Sequence, residues 1–261
     1  MSIKLISDVH GCFDDLPSQI NHDDTLLVLG DILDLVDWAD ISGILPEVLG
    51  RETFLEKLRT AFASGPDATV ALREELLAPD GEYFKELFER STAQYEEFAC
   101  ALADIGCRAF VIYGNSDIPE LLQKALETVE NARLIEGRVE IGAELFGFVS
   151  GALYSPFHMA AEMDEDAYGE RLRRLGPVDV LCTHIPPRLR AATFDVVAGR
   201  PVEGSSRLLE YIEDKKPAFH YHGHVHQPGQ RELLIGQTRV INVSYYRRDR
   251  HVEIHGDDDG I

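Results

Sequence analysis

The sequence predicts an α/β fold, and three observations predict it. Short apolar runs rich in β-branched and aromatic residues recur along the chain and end at polar, glycine-containing turns. Helical patterns lie between several of these runs. Side chains capable of chemistry follow the runs directly, and open α/β sheets bind ligands in the crevice beyond the carboxyl ends of their strands.

Taken in order, Ile3-Lys4-Leu5-Ile6-Ser7 leads into Asp8-Val9-His10-Gly11, and Thr25-Leu26-Leu27-Val28-Leu29 into Gly30-Asp31. Arg108-Ala109-Phe110-Val111-Ile112-Tyr113 leads into Gly114-Asn115. Val178-Asp179-Val180-Leu181-Cys182 leads into Thr183-His184, and Ala218-Phe219-His220-Tyr221 into His222-Gly223-His224. All five read as buried strands. Helical periodicity appears at about 118–129, 163–175 and 204–215. Asp117 can cap the first of these, with Glu120 as its reciprocal partner. Gly176-Pro177 stops the second. The third opens at Gly204-Ser205-Ser206, where a serine can cap the first turn, and places Leu208, Leu209 and Ile212 on one face. Residues 138–149 and 230–243 read as hairpins or meanders turning near Gly142 and Gly236.

The segment 39–104 is different. It is acidic, rich in Ala, Leu, Glu and Phe, and its apolar residues recur with a helical period, as in Phe84, Leu87 and Phe88, then Tyr95, Phe98, Ala99 and Leu102. Gly65-Pro66 and Pro79-Asp80-Gly81 divide it into about three helices. It reads either as a helical insertion or cap on one domain spanning 1–261, or as a plain helical layer packed on the sheet. The end Asp257-Asp258-Asp259-Gly260 reads as solvated.

Composition narrows the function. The 25 basic and 46 acidic residues leave a net charge of −21, which repels phosphate backbones and anionic membranes. Nucleic acid and membranes are therefore disfavoured as partners, while a small anion held at a local positive site is allowed; a homo-oligomer stays open. The cysteines Cys12, Cys100, Cys107 and Cys182 form no CxxC pair, and a reducing compartment is the simpler reading. The start MSIKLISDVHG lacks the apolar core and cleavage site of a signal peptide, and no apolar stretch approaches the roughly 18 residues of a membrane span. A cytoplasmic protein is expected.

The strand-end residues Asp8, His10, Asp31, Asn115, His184, His224 and His226 combine imidazoles, carboxylates and an amide, a donor set suited to borderline first-row ions. Asp8 and His10, like His224 and His226, are two apart, and in extended backbone such pairs point to one side. Seven ligands are too many for one ion and about right for two sharing a bridging carboxylate. Any one of these elements alone would be an ordinary turn; the ordered combination is what carries the signal.

The ordered blocks are Asp8-Val9-His10-Gly11, Gly30-Asp31-Ile32-Leu33-Asp34, Gly114-Asn115-Ser116-Asp117, a lone His184, and Gly223-His224-Val225-His226. In them the chain resembles the calcineurin-like metallophosphoesterase family, whose blocks are D-x-H-G, G-D-x-x-D, G-N-H-[DE], a lone His and G-H-x-H. The resemblance spans Met1 to about Val243, excluding the helical segment. It implies a four-layer α-β-β-α sandwich that hydrolyses phosphate esters with two divalent ions (Mn, Fe, Zn or similar). Asp8, His10 and His226 would hold one ion, Asn115, His184 and His224 the other, and Asp31 would bridge them. Asp31, Asn115 and His224 thereby carry catalysis as well. Two ions about 3.5–4 Å apart would bind phosphate oxygens and activate a bridging water for in-line attack.

The chain departs from the pattern at Ser116, where the family has a histidine that stabilises charge or protonates the leaving group. A hydroxyl is a poor proton donor, and general-acid help is worth about 10²–10⁴ in rate. Asp34, which would orient that histidine, is left for a turn or supporting role, and Leu35 stands where a phosphatase arginine often follows. These departures suit diesters with good leaving groups, or a slow enzyme. His222 and Arg188 are the substrate-binding candidates, the arginine because it can grip a phosphate with two donors. Arg190, His158 and His220 are weaker ones. Cys12 reads as a small buried residue, and Trp38 as a pocket wall or an anchor for the helical segment. The expectation is a phosphodiesterase on a small or accessible phosphoester. A phosphomonoesterase or nucleotidase, a nuclease, and a metal-holding scaffold that binds a partner protein are the rivals.

Overall fold

A computed structural model describes residues 2–38 and 40–256. The acidic stretch Asp257-Asp258-Asp259-Gly260 lies outside the described residues. Four parallel strands, β1 (Ile3–Ile6), β2 (Thr25–Leu29), β3 (Arg108–Ile112) and β4 (Ala132–Leu134), form the first sheet, with β15 (Glu253–Ile254) antiparallel beside β1. In the second sheet β6 (Glu144–Val149), β9 (Val180–Thr183), β12 (Phe219–His222) and β14 (Thr238–Asn242) run parallel. Its two edges are closed by antiparallel partners, β5 (Gly137–Ile141) and β13 (Glu232–Ile235). These edges are the two hairpins expected from Gly142 and Gly236. Two small ribbons complete the set: β7 (Ala152–Leu153) with β8 (Glu162–Met163), and β10 (Phe194–Asp195) with β11 (Arg200–Pro201).

Period-2 alternation builds the layers. Leu5, Leu27 and Phe110 stand in register across β1, β2 and β3 and point between the sheets. There they meet Phe146, Phe148, Val180, Cys182 and Tyr221 of the second sheet. The intervening residues Ile6, Val28 and Val111 face outward onto helices. On the far side Val149, Leu181 and Val240 do the same. Both sheets are thus buried on both faces, which is why their strands read as continuous apolar runs. The architecture is α-β-β-α.

The helices are α1 (Leu16–Gln19), α2 (Ile44–Leu49), α3 (Arg51–Ser64), α4 (Pro66–Leu76), α5 (Phe84–Ile105) and α6 (Pro119–Leu126) around the first sheet. The second sheet carries α7 (Glu165–Leu175) and α9 (Ser206–Lys215), with the short α8 (Arg190–Thr193) and α10 (Tyr246–Asp249) in loops. Ser205 caps α9 by accepting from the Leu208 N–H at 3.0 Å. The segment 39–104 forms four helices rather than about three, because Gly50 at φ 81° breaks the chain once more between α2 and α3. The stripe Leu87, Tyr95, Phe98, Leu102 of α5 joins the sheet's outer core, and α3 and α4, which pair with each other, add Phe54, Leu58, Leu72 and Leu76 to the same core.

One local expectation fails. Asp117 does not cap α6, whose N-cap is Ile118 with no side-chain cap. Its carboxylate instead accepts from the N–H groups of Ile32, Leu33 and Gly114 and from the Tyr95 hydroxyl. Buried donors of the loop after β2, of its own loop and of α5 claim it, and Pro119 at the helix start leaves one fewer N–H to cap. All four cysteines are free. Among the described residues no helix is long and apolar enough to cross a membrane.

Candidate metal centre

The loops after β1 and β2 are zipped together by backbone bonds. Asp8 N–H donates to Gly30 O at 3.0 Å, Val9 and His10 N–H to Asp31 O at 2.9 and 3.0 Å, and Gly11 N–H to Ile32 O at 2.9 Å. The backbone there is not extended: φ is 55° at Asp8, 41° at His10, 53° at Asp31 and 65° at His224. Two-residue spacing in a strand is therefore not what aims Asp8 and His10 together. Left-handed turns do it, at a cost of order 1–3 kcal/mol each, and such strain concentrates at functional sites. Crowding is just as tight. A Cβ on Gly223 would land on Ser7 Oγ and Asp8 Oδ2, and one on Gly114 would land on Asp31 Oδ1.

Ligand-capable atoms of Asp8, His10, Asp31 and His226 all lie within 4.8 Å of one another. Asp31 sits between two groups of side chains. Its Oδ2 is 3.6 Å from His10 Nε2, and its Oδ1 is 3.5 Å from His184 Nε2. His184 Nε2 is in turn 3.1 Å from Asn115 Oδ1, and its ring meets the His224 ring edge-on at 5.1 Å. The Asp8 carboxylate accepts from the His224 N–H at 3.0 Å and lies 3.3 Å from His226 Nε2. All seven sequence-derived residues meet at one place.

The imidazole tautomers say what the place can hold. His10 Nδ1 faces the Leu33 carbonyl at 3.1 Å and His184 Nδ1 the Leu29 carbonyl at 2.9 Å. A carbonyl only accepts, so each Nδ1 carries the hydrogen and each Nε2 of the neutral ring offers a lone pair. His10 Nε2 is buried without a hydrogen-bond partner. His184 Nε2 faces the Asn115 Oδ1 and Asp31 Oδ1 oxygens. A cation suits that arrangement, and an imidazole whose other nitrogen donates to a backbone carbonyl is the usual form of a metal ligand. The residues present fit divalent ions. Electrostatics agree. Burial pushes His224 down to about 3 and His222 to about 4, so both are neutral at pH 7. Burial also lowers His10, against the pull of Asp31. For Asp8, burial alone would raise the carboxyl, but the hydrogen bond and charge of His226 hold it well below the usual carboxylate range. His226 itself is raised, because that pairing outweighs its burial.

Ser116 spends its hydroxyl on Asp31: Oγ donates to Oδ2 at 3.1 Å while the Ser116 N–H donates to Oδ1 at 2.9 Å. Neither substrate-binding candidate is among the four residues whose ligand atoms cluster. Arg188 is 60% exposed and pairs with Glu203 at 3.1 Å. His222 is buried, its Nδ1 donating to the Gly223 carbonyl at 3.0 Å, and stacks on His220. His220 donates from Nε2 to Thr183 Oγ1, whose own hydrogen goes to Ile185 O. Arg190 lies over the Phe194 ring, and Cys12 is half-buried.

Two residues that the sequence reading missed complete the surroundings. Tyr245 stacks on His226, centroids 4.0 Å apart and planes 8° apart, and its hydroxyl donates to Asp37 at 3.1 Å. Arg247 places Nη1 2.5 Å from the Asp34 carboxylate and Nε 3.6 Å from Asp37, and donates to the His10 carbonyl at 3.2 Å. Asp34 thus has a partner after all, and it is an arginine. The signal was available: Ser244-Tyr245-Tyr246-Arg247 follows the strand 238–242 just as the other site residues follow theirs.

Among curated proteins none matches this chain. Solved structures do. One crystal structure superposes with a TM-score of 0.63 at 16% identity, covering 97% of this chain and 97% of its own. TT1561 of Thermus thermophilus superposes with a TM-score of 0.56 at 14% identity, covering 97% of this chain and 96% of its own. At such identities these likenesses speak for the fold alone. The profile of calcineurin-like phosphoesterases matches residues 1–228, which holds every block from Asp8-Val9-His10-Gly11 to Gly223-His224-Val225-His226. The chain belongs to the calcineurin-like phosphoesterase family.

Proposed function

We propose that this protein is a metal-dependent hydrolase of phosphoester bonds, a phosphodiesterase acting on a small or accessible substrate with two divalent ions. The observation that supports it most is the position of Asp31, whose two carboxylate oxygens face His10 Nε2 and His184 Nε2 at 3.6 and 3.5 Å. Asp8, His10 and His226 would hold one ion, Asn115, His184 and His224 the other, and Asp31 would serve both. The mixed nitrogen and oxygen set suits Mn, Fe or Zn. Bound ions supply Lewis acidity, a water acidic enough to attack at neutral pH, and positive charge against the phosphate.

The chain's own residues do the rest. Leu29 and Leu33 carbonyls fix the tautomers of His184 and His10, and the Ser116 N–H and hydroxyl hold the Asp31 carboxylate in one orientation. In hydrolysis a water oxygen bonds to phosphorus as the ester P–O bond breaks, and the leaving oxygen takes the electron pair. With Ser116 donating to Asp31, no proton is offered from position 116 to that oxygen. Leaving groups stable as oxides are favoured, which argues for diesters with good leaving groups over alkyl monoesters. The free thiols and the net charge of −21 fit a cytoplasmic protein acting on small molecules rather than nucleic acid.

Hydrolysis of bis-p-nitrophenyl phosphate with added Mn²⁺, abolished by Asp31→Ala and by His184→Ala, is the expected result. Clean protein that hydrolyses no phosphate ester with any divalent ion would overturn the reading. Ser116 also favours a second one, a catalytically weak metal-holding scaffold that binds a partner protein. If Ser116→His creates turnover where the natural chain has none, the scaffold is correct.

A further inference from the structure

We propose that an exposed aromatic shelf built by Trp38, Phe62, Phe157 and the Tyr154–His158 stack receives a planar aromatic group, aryl or nucleobase, on the substrate of the site described above; this rests on the phosphoesterase reading. Trp38 is 55% exposed, Phe62 52% and Tyr154 45%, and contiguous exposed apolar patches mark ligand-binding or interaction sites. The rings form two groups joined through the neighbouring residues Phe157 and His158. Trp38 and Phe157 lie 6.1 Å apart with planes at 19°, Phe62 meets Phe157 edge-on at 5.7 Å, and Tyr154 stacks on His158 at 4.1 Å.

Phe62 belongs to α3, and the other shelf residues to loops that leave the carboxyl ends of β2 and β6. Trp38 follows Asp37, whose carboxylate accepts from the hydroxyl of Tyr245, the ring stacked on His226. The other loop starts after β6, where the Gly151 N–H donates at 2.8 Å to the carbonyl of Tyr113, two residues before Asn115. Both loops are held rigidly. Buried Glu162 accepts from Ser155 N–H and Oγ and from Met159 N–H, the Thr69 hydroxyl donates to Pro156 O, and Asp37 and Ser42 exchange both backbone bonds. A platform already ordered loses little entropy on stacking a flat ring. The shelf also agrees with Ser116. Aryl oxides leave without a proton, and a base-bearing phosphoanhydride has phosphate as its leaving group, so neither calls for the donor that position 116 lacks.

Trp38 is the only tryptophan of the chain, so its fluorescence reports the shelf directly. The full chain is titrated with phenyl phosphate, adenosine monophosphate and methyl phosphate at fixed ionic strength, once with Zn²⁺ and once in chelator. Saturable quenching by at least one aromatic phosphate and none by methyl phosphate is expected, and which aromatic ligand acts separates aryl from nucleobase. Tyr154→Ala should weaken that binding about three- to tenfold while leaving the melting temperature within a few degrees. Equal response to methyl phosphate, or no saturable response to either aromatic ligand, overturns the proposal. So does quenching that tracks protein concentration in sedimentation without ligand, which would make the shelf a self-association surface. Aromatic binding with no metal-stimulated hydrolysis of bis-p-nitrophenyl phosphate or any other phosphate ester would instead spare the shelf and remove the phosphoesterase reading.

Discussion

The two sheets furnish the candidate metal centre in opposite ways. The first sends two carboxylates, an amide and one imidazole, and it bends its backbone into left-handed turns at Asp8, His10 and Asp31 to do so. The second sends three imidazoles and bends in that sense only at His224. Each sheet also fixes ligands of the other. His184 of the second sheet is fixed by the Leu29 carbonyl of the first, and Asp8 of the first accepts from the His224 N–H of the second. The site is a mutual lock between layers, so its geometry exists only when the sheets are packed.

Breaking the shared element should hurt most. Asp31→Ala removes the carboxylate that faces both groups and is expected to lower metal-stimulated diester hydrolysis at least about a thousandfold, several kcal/mol of barrier. Steady-state kinetics with elemental analysis of bound metal checks both the rate and a fall in metal per chain. Gly223→Ala attacks the fit between layers, since its Cβ would displace Ser7 and Asp8. A loss of about 1–3 kcal/mol is expected, seen as a lower urea midpoint together with weaker metal uptake. Arg247→Met leaves Asp34 and Asp37 without that guanidinium and should cost about 1–3 kcal/mol, with Arg247→Lys recovering part of it.

The smallest effect belongs at the opposite end of β2, away from the site. There burial alone would raise the Asp24 carboxyl, but the Lys4 ammonium at 2.8 Å and the N–H groups of Asn21 and Ser2 hold it well below its ordinary value. The sign follows. This carboxylate stabilises the fold fully above its unfolded value of about 3.9, and the contribution fades as pH falls through the folded value. Asp24→Asn should therefore cost about 1 kcal/mol at pH 7, the gap to wild type should narrow below about pH 4, and metal content should not change. Calorimetric melts across that range would show it. A metal loss here would mean that the centre senses general stability rather than its own lock.

What could be read in the sequence follows from range. The five strands, the hairpins at Gly142 and Gly236 and the cap at Ser205 are local patterns, and local patterns are written in neighbouring residues. The convergence of Asp8, His10, Asp31, Asn115, His184, His224 and His226 was readable because each follows a strand, and strand ends of packed sheets share a rim. Asp117 was misread because a capping rule looks three residues ahead, while its donors come from Ile32, Leu33 and Tyr95. Arg247 escaped because its contact with His10 spans 237 positions and matches no motif. The pairing of α3 with α4 inside the segment 39–104 escaped because helical periodicity records a buried face and not what buries it.

Residues 245–254 also set an order of events. Tyr246 and Arg247 donate their N–H groups to Ser7 and Asp8, and β15 flanks β1. A ribosome therefore releases the first half of the centre long before this support has been synthesised. A nascent chain has the Asp8-Val9-His10-Gly11 loop without the clasp behind it until residues 245–254 have emerged. A translation product that stops at about residue 240 would display every ligand and still lack that clasp.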